Sequence, residues 1–245
     1  MIPLRDTTPS RSYPVVNTAL IGINVAVFFY QTTLGAATEQ FFYTYGMVPA
    51  RYSDPRWGEY FGLGQQIFAF FSFMFLHGGL WHLIGNMWSL WIFGDNVEDA
   101  MGSFRFVLFY LLCGAAAAGL QVAANTESTI PMVGASGAIG GVMGAYVLLY
   151  PRVHVHLLIF LGFFVTTIAV PAVFMLGYWF LVQVLGGFSS IGARGGVAFW
   201  AHVGGFAAGA LFVLLFRNPK LLGKHPYYGW KKRSPNANWR RIDRR

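Results

Sequence analysis

The chain has 245 residues, of which 56% are hydrophobic and only 11% are charged, whereas a soluble domain carries about 25% charged residues. This deficit excludes an ordinary soluble domain and predicts a polytopic membrane protein. The net charge is +8, but ten of the seventeen Lys and Arg residues lie in residues 217–245, after the last apolar run. That distribution favours a tail that contacts anionic membrane lipids over a groove that binds nucleic acid.

Six segments are apolar and long enough to cross a hydrocarbon core as helices, which takes about 20 residues each. In chain order they run from Val15 to Leu34, Leu80 to Val97, Phe104 to Ala124, Ser136 to Tyr150, Ile168 to Leu185 and Val197 to Phe216. The predicted fold is an all-α membrane bundle over residues 15–216, with a long outer loop, residues 35–76, between its first two helices. Residues 1–14 form an N-terminal segment, and residues 217–245 form the basic tail.

The segment Arg152–Thr167, between the fourth and fifth predicted helices, does not fit a helix. Its Val-His-Val-His opening alternates apolar and polar residues as a strand does. We interpret it as a connection at the membrane interface. Pro171 is compatible with the first turn of the fifth helix.

The basic residues predict the orientation. With both termini cytoplasmic, fourteen Lys and Arg residues lie inside, and only Arg51, Arg56 and Arg194 lie outside. The positive-inside rule therefore favours this arrangement over its reverse. The sequence predicts an integral, multi-pass protein of a bacterial-type plasma membrane, with both termini in the cytoplasm.

Polar groups within membrane helices are costly and usually functional, and four such side chains are candidates here. His82, Asn86, Ser136 and His202 belong to the second, fourth and sixth helices. In the predicted orientation all three helices enter from the outer side, and His82, Ser136 and His202 each fall within the first turns of one of them. Helices distant in sequence therefore bring their polar groups to one depth.

Ser136 lies at the predicted start of a helix, where free backbone N–H groups and the helix dipole can stabilise an oxyanion. A nucleophilic serine needs a base within hydrogen-bond distance, and His202 is the only histidine of the sixth helix. His82 and Asn86 lie four residues apart, so they share a helix face and can both donate to developing negative charge. Each residue also has a structural interpretation, as a small-residue packing site or as a hydrogen bond between helices.

A serine–histidine pair requires the fourth and sixth helices to touch. Gly137 and Gly141 form a ridge of small residues on one helix, and Gly205 and Gly209 form a matching ridge on the other. Such ridges allow backbones to approach closely. Because Glu127 is the only acidic residue between residue 100 and Asp243, the sequence predicts a dyad without a carboxylate that orients the histidine.

Three strings resemble the signature regions of the rhomboid family of intramembrane serine proteases. They are HGGLWHLIGNMWSLWIFGDNVED (77–99), GASGAIGGVMGAY (134–146) and AHVGGFAAG (201–209). The resemblance implies a six-helix rhomboid-like bundle with Ser136 as nucleophile and His202 as general base. It further implies an oxyanion hole made by His82, Asn86 and the backbone N–H of Ser136.

The resemblance also implies a water-filled cavity open to the outer side, a mobile fifth helix that admits substrate, and substrates with a single membrane span. Many rhomboids carry Trp-Arg in the first outer loop, whereas residues 56–57 here read Arg-Trp. His77 matches a frequent family histidine, for which we expect a structural role.

Several other classes fit less well. A zinc intramembrane protease needs His-Glu-x-x-His, but Leu83 follows His82. An aspartyl protease needs two carboxylates within the membrane, and the acidic residues here lie at helix ends or in loops. A transporter would show internal repeats. An inactive rhomboid-like binder of membrane helices is the alternative, but such relatives typically lack the serine or the histidine, and this chain has both. We expect no cofactor, no metal and no nucleic-acid partner, and the sequence leaves the oligomeric state open.

Overall fold

A computed structural model describes residues 2–58, 60–190, 196–223, 225 and 227–229. Most of these residues are helical. The helices are α1 (Val15–Thr33), α2 (Thr38–Tyr45), α3 (Ala50–Ser53), α4 (Pro55–Gly58), α5 (Leu63–Ser72), α6 (Leu80–Met101), α7 (Ser103–Ala124), α8 (Ser136–Leu149), α9 (Ala172–Ser189), α10 (Phe199–Phe216) and α11 (Pro219–Leu222). Arg194, in the predicted loop before α10, and the predicted tail beyond residue 229 lie outside the described residues.

Helix α8 lies at the centre of the bundle. Eleven of its fourteen residues are buried, and α6, α7 and α10 pack around it. Its four glycines, at positions 137, 140, 141 and 144, explain this placement, because a helix without side chains on several faces can accept neighbours on each of them. The predicted helical membrane bundle is confirmed.

Within the described part of the chain, four helices, α1, α7, α9 and α10, are each long and apolar enough to cross a membrane. The segment Leu63–Phe75 and α6 pass the same test together, as a pair bent by 82°. Helix α8 has fourteen residues, about 21 Å at 1.5 Å per residue, and is too short to cross alone. All six predicted helices are present, but six complete spans remain a prediction.

Helix α6 continues to Met101, four residues beyond the predicted end at Val97. The carboxylates of its last turns have partners in the N-terminal segment and in the first turn of α1. Glu98 accepts hydrogen bonds from the backbone N–H groups of Val16 and Asn17, at 3.1 and 2.8 Å, which caps the start of α1. Asp99 accepts from the backbone N–H of Ser12 at 3.1 Å. These acidic residues therefore do not end α6, as predicted, but bind the N-terminal segment and the start of α1 to it.

The all-α prediction omits a three-stranded antiparallel sheet. Its strands are β1 (Ile2–Asp6), β2 (His154–Leu161) and β3 (Phe164–Pro171), in the order β1-β2-β3. The strand-like alternation after Arg152 is therefore the start of a hairpin, and its partner β1 lies within the predicted N-terminal segment. The fifth predicted helix begins four residues too early, because residues 168–171 belong to β3 and Pro171 precedes α9. Its C-terminal end lies at Ser189 instead of Leu185.

The predicted outer loop contains short helices, α2 to α5, and is tied to the bundle. Met47 forms an isolated antiparallel bridge with Met132, just before α8. Arg51 is buried, with its guanidinium 3.6 Å from the ring centroid of Phe61. Burial lowers the pKa of Arg51 from its usual value. The loop therefore covers the end of the bundle at which α6 and α8 begin.

Candidate active site

Ser136 is the first residue of α8. The chain reaches it through Gly134, whose φ of +126° is a conformation that side-chain-bearing residues rarely adopt. The N–H of Gly134 donates to the carbonyl oxygen of Phe73 at 2.9 Å, which fixes the turn. The first helical bond after the turn runs from the N–H of Ile139 to the carbonyl of Ala135. The N–H groups of the first turn are thus left to other acceptors, as at any helix start.

His202 lies in the first turn of α10 and faces Ser136. Its Nε2 atom is 2.8 Å from the Ser136 Oγ atom, which is hydrogen-bond distance. The two residues are 66 positions apart in the chain. Their contact gives the serine hydroxyl a neighbouring imidazole that can accept its proton.

Close packing of α8 and α10 makes this contact possible. A Cβ atom added at Gly205 would overlap the carbonyl oxygen of Gly137, and one added at Gly209 would overlap that of Gly141. Each glycine of the α10 ridge therefore lies directly against the α8 backbone. No larger residue fits there without moving the helices apart.

His82 and Asn86 lie on the side of Ser136 formed by α6. A Cβ atom at Gly134 would be 2.7 Å from the His82 ring and 3.6 Å from the Asn86 Nδ2 atom. The Asn86 Nδ2 atom donates to the Nε2 atom of His77 at 3.0 Å. His77 is itself held by Gln31, whose side chain bonds to both its N–H and its carbonyl group. His77 thus orients the Asn86 amide, a contact that the sequence analysis did not predict.

A cavity of about 560 Å³ unites these residues. Its walls come from α6 to α10 and include Ser136, His202, His82 and Asn86, together with Trp81 and Trp179. All four polar residues that the sequence singled out therefore meet in one cavity. His154 and His156 belong to β2 and do not line it.

Two glutamines in the cavity region were missed by the sequence analysis. The Gln183 Oε1 atom, from α9, lies 2.7 Å from the His202 Nδ1 atom. The Gln121 Oε1 atom, from α7, accepts the backbone N–H of Ala201 at 3.1 Å and caps the start of α10. Both are isolated polar residues on apolar helices, a signal that the histidines and Asn86 also gave.

The outer-loop residues Arg56 and Trp57, which depart from the family pattern, lie away from this cavity. Arg56 forms a salt bridge of 2.8 Å with Asp54, and its side chain is 88% exposed. The Arg56 guanidinium holds the pKa of the Asp54 carboxyl below its usual value. Neither residue of the Arg-Trp pair lines the cavity.

A model of the rhomboid domain matches residues 64–219, which is more than half of the chain and includes all of α6 to α10. The chain belongs to the rhomboid family. It is a multi-pass integral membrane protein, and the resemblance carried by the three signature strings is confirmed.

Curated rhomboids from a plant, a bacterium and a yeast are similar to the chain. It is 32% identical to RHOMBOID-like protein 4 of Arabidopsis thaliana over 73% of its own length and 40% of that protein. It is 38% identical to Rhomboid protease GluP of Bacillus subtilis over 55% of the chain and 24% of that protein. Against mitochondrial Rhomboid protein 1 of Saccharomyces cerevisiae it is 30% identical over 56% and 38%. The chain thus spans less than half the length of these relatives.

Within the described residues of this rhomboid, no three His, Cys, Asp or Glu side chains group as metal ligands would. The expectation that it uses no metal or cofactor stays a prediction. Cys113 is buried and is the only cysteine of the chain.

Proposed function

We propose that this rhomboid is an intramembrane serine endopeptidase that cleaves single-span membrane proteins through Ser136 and His202. The observation that supports it most directly is the 2.8 Å contact between the His202 Nε2 and Ser136 Oγ atoms. It lies in a cavity at the start of a helix that is otherwise buried. A structural serine would not need an imidazole at its hydroxyl and open space beside it.

The geometry supports a two-step acyl transfer. As the Ser136 Oγ atom attacks the substrate carbonyl carbon, His202 Nε2 takes the hydroxyl proton. The resulting oxyanion is stabilised by the backbone N–H of Ser136, by Asn86 and by His82. His202 then gives its proton to the leaving amine, which releases one half of the substrate. Water attacks the acyl-enzyme with His202 as base, and the second product leaves with a free carboxylate.

The alternative is an inactive rhomboid-like protein that binds membrane helices. The aligned serine and histidine favour the protease, since a binding role requires neither side chain. We further propose that both termini face the cytoplasm and that the substrate reaches the cavity from the lipid. In this orientation the basic tail, residues 217–245, lies on the cytoplasmic side, where we propose that it contacts anionic lipids.

Cleavage of a single-span model substrate in proteoliposomes tests the proposal. Ser136→Ala and His202→Ala should each abolish cleavage while the protein remains folded. The double variant should be scarcely worse than either single variant, because the two residues act as a unit. A fluorophosphonate probe should label the unmodified protein and fail to label Ser136→Ala.

Matched controls exist on the same chain. Ser189→Ala removes a hydroxyl that bonds only to its own helix, at the carbonyl of Gly186, and His154→Ala removes a histidine of β2. Both should cleave normally. If Ser136→Ala or His202→Ala still cleaves robustly, or if the unmodified protein binds substrate without cleaving it, the protease proposal is wrong.

A further inference from the structure

The base His202 has two ring nitrogens, and only one can face the serine. Nε2 contacts Ser136 at 2.8 Å, and Nδ1 contacts the Gln183 Oε1 atom at 2.7 Å. For Nε2 to accept the serine proton, the neutral ring must carry its hydrogen on Nδ1. The group that faces Nδ1 therefore determines the tautomer of the ring, and with it whether Nε2 can act as base.

The orientation of the Gln183 amide follows from its second hydrogen bond. The Gln183 Nε2 atom donates to the carbonyl oxygen of Trp179, one turn earlier on α9, at 3.2 Å. A carbonyl only accepts, so the amide nitrogen must face Trp179 and the amide oxygen must face His202. The opposite orientation would place two acceptors against each other at Trp179. The amide oxygen then requires a hydrogen on Nδ1, which leaves the Nε2 lone pair for Ser136.

The contact is packed among aromatic side chains. Gln183 is 7% exposed, and the Trp179 ring lies 5.8 Å from the His202 ring, between centroids. Further along the same interface, the Phe180 and Phe206 rings stack with their centroids 4.6 Å apart. An amide held in this way loses little entropy when it binds the imidazole.

We propose that Gln183 is a positioning residue for the reaction of the proposed protease, because it holds His202 in the tautomer whose Nε2 atom accepts the proton of Ser136. This inference rests on the proposed function. It gives the role usually filled by a carboxylate to a neutral amide. A neutral amide adds no charge to a membrane-embedded site, where an ionised side chain is costly.

The contact also links the base to α9. Among the four described helices that pass the length and hydropathy test for a span, α9 is the least buried, at 22% compared with 39% for α10. Ser136 and His202 belong to α8 and α10, in the centre of the bundle, whereas Gln183, which orients the base, belongs to the peripheral α9. A displacement of α9 away from α10 would release Nδ1 and allow the ring to change tautomer.

Three variants of matched length test the assignment in proteoliposomes. Gln183→Met removes the acceptor, Gln183→Glu keeps an oxygen at the same reach, and Leu185→Met makes the same change to methionine at an exposed position of α9. Gln183→Met should lower kcat by about 10- to 100-fold with KM nearly unchanged, since a misplaced catalytic group can cost about 10²-fold. Gln183→Glu should recover most of kcat, and Leu185→Met should behave as the unmodified protein.

Nitrogen NMR of protein labelled with ¹⁵N-histidine gives a readout that does not depend on turnover. The His202 signals, identified by their loss in His202→Asn, should show a protonated Nδ1 and an unprotonated Nε2. In Gln183→Met the two tautomers should mix. Normal kcat in Gln183→Met, or a His202 tautomer unchanged by that variant, would overturn the assignment of Gln183. Failure of the protease proposal would instead appear as an inactive unmodified protein or an active Ser136→Ala variant.

Discussion

Asn86 enters the cavity with its amide already oriented. One of its two N–H groups donates to the His77 Nε2 atom, and in the proposed reaction the second is available to the oxyanion of a substrate attacked by Ser136. Because Asn86 lies four residues after His82 on the same face of α6, both side chains can donate to the carbonyl oxygen of the substrate. The hydrogen bond to Asn86 gives His77 the structural role that the sequence analysis expected.

Asn86→Ala and His82→Ala should therefore slow the reaction without abolishing it. Loss of one oxyanion donor costs about 10²–10³ in rate, while the backbone N–H of Ser136 remains. Steady-state kinetics on the model substrate should show the loss in kcat. If KM alone rises and kcat is unchanged, the two residues bind substrate and do not stabilise the oxyanion.

The sequence predicted the polar residues of the cavity better than their mutual arrangement. Ser136, His202, His82 and Asn86 could be predicted because each is a polar group near the end of an apolar segment, and orientation placed those ends at one depth. Gln183 has the same local signal, since it lies two residues before the predicted end of the fifth helix at Leu185. Its role depends on how α9 is rotated against α10, and a sequence of apolar residues on all sides of a helix does not fix that rotation.

At the scale of helices, the interlocked glycines of α8 and α10 hold the serine and histidine together. A branched side chain at Gly205 would meet the backbone of α8 at Gly137. Overpacking of this kind costs about 1–3 kcal/mol, and a displacement of about 1 Å at the site can cost about 10²-fold in rate.

We therefore expect Gly205→Val to lose most of its cleavage activity while it still inserts into membranes. Leu211→Val on the same helix is the matched control, because Leu211 is 66% exposed and faces away from the core. Activity and thermal stability of the two variants would be compared in the same detergent. Full activity in Gly205→Val would mean that the two helices can separate there without harm.

The β2–β3 hairpin carries apolar side chains at its tip. Phe160, Phe163 and Phe164 are all exposed, Phe163 completely. In β1, which pairs with β2, the carbonyl oxygen of Pro3 accepts a hydrogen bond of 2.5 Å from the ring N–H of Trp88, in the middle of α6. Strand β1, and β2 paired with it, thus lie beside a helix that the membrane surrounds, and the hairpin tip is expected to contact lipid.

A fluorophore attached to the hairpin tip tests this placement. In a Cys113→Ala background, Phe163→Cys labelled with an environment-sensitive dye should emit at short wavelength and be quenched by spin-labelled lipids. Glu127→Cys, in an exposed turn between α7 and α8, should emit as in water. Water-like emission from both positions would place the hairpin outside the membrane.

The hairpin and its partner strand are the part of the fold that the sequence predicted least well. The alternation after Arg152 indicated a strand, but β1 consists of five residues, one of them proline, near the start of the chain. Pairing between residues about 150 positions apart leaves no local pattern. The helices were easier to predict. In a membrane each segment must pair its own backbone polar groups, and the thickness of the hydrocarbon core sets the length of a helix that crosses it.

At the scale of the whole molecule, the charge distribution predicts one orientation. A reporter fused after residue 245 should be cytoplasmic, and a reporter in residues 35–66 should lie on the opposite side. Fusions of alkaline phosphatase and green fluorescent protein at the same sites give complementary signals. If both sites report the same side, the predicted number of membrane crossings is wrong, and with it the common depth predicted for His82, Ser136 and His202.

In the proposed protease, the shortness of α8 would set the depth in the membrane at which a substrate is cut. A helix of fourteen residues rises about 21 Å, whereas the hydrocarbon core is about 30 Å thick. If the end at Leu149 lies at the inner boundary, Ser136 lies about 9 Å below the outer one, a depth that a helical substrate reaches in about six residues. The position of the cut would then be set by its distance from the outer membrane surface. Leucines inserted between the scissile bond and the outer end of the substrate span should therefore shift the cut toward that end.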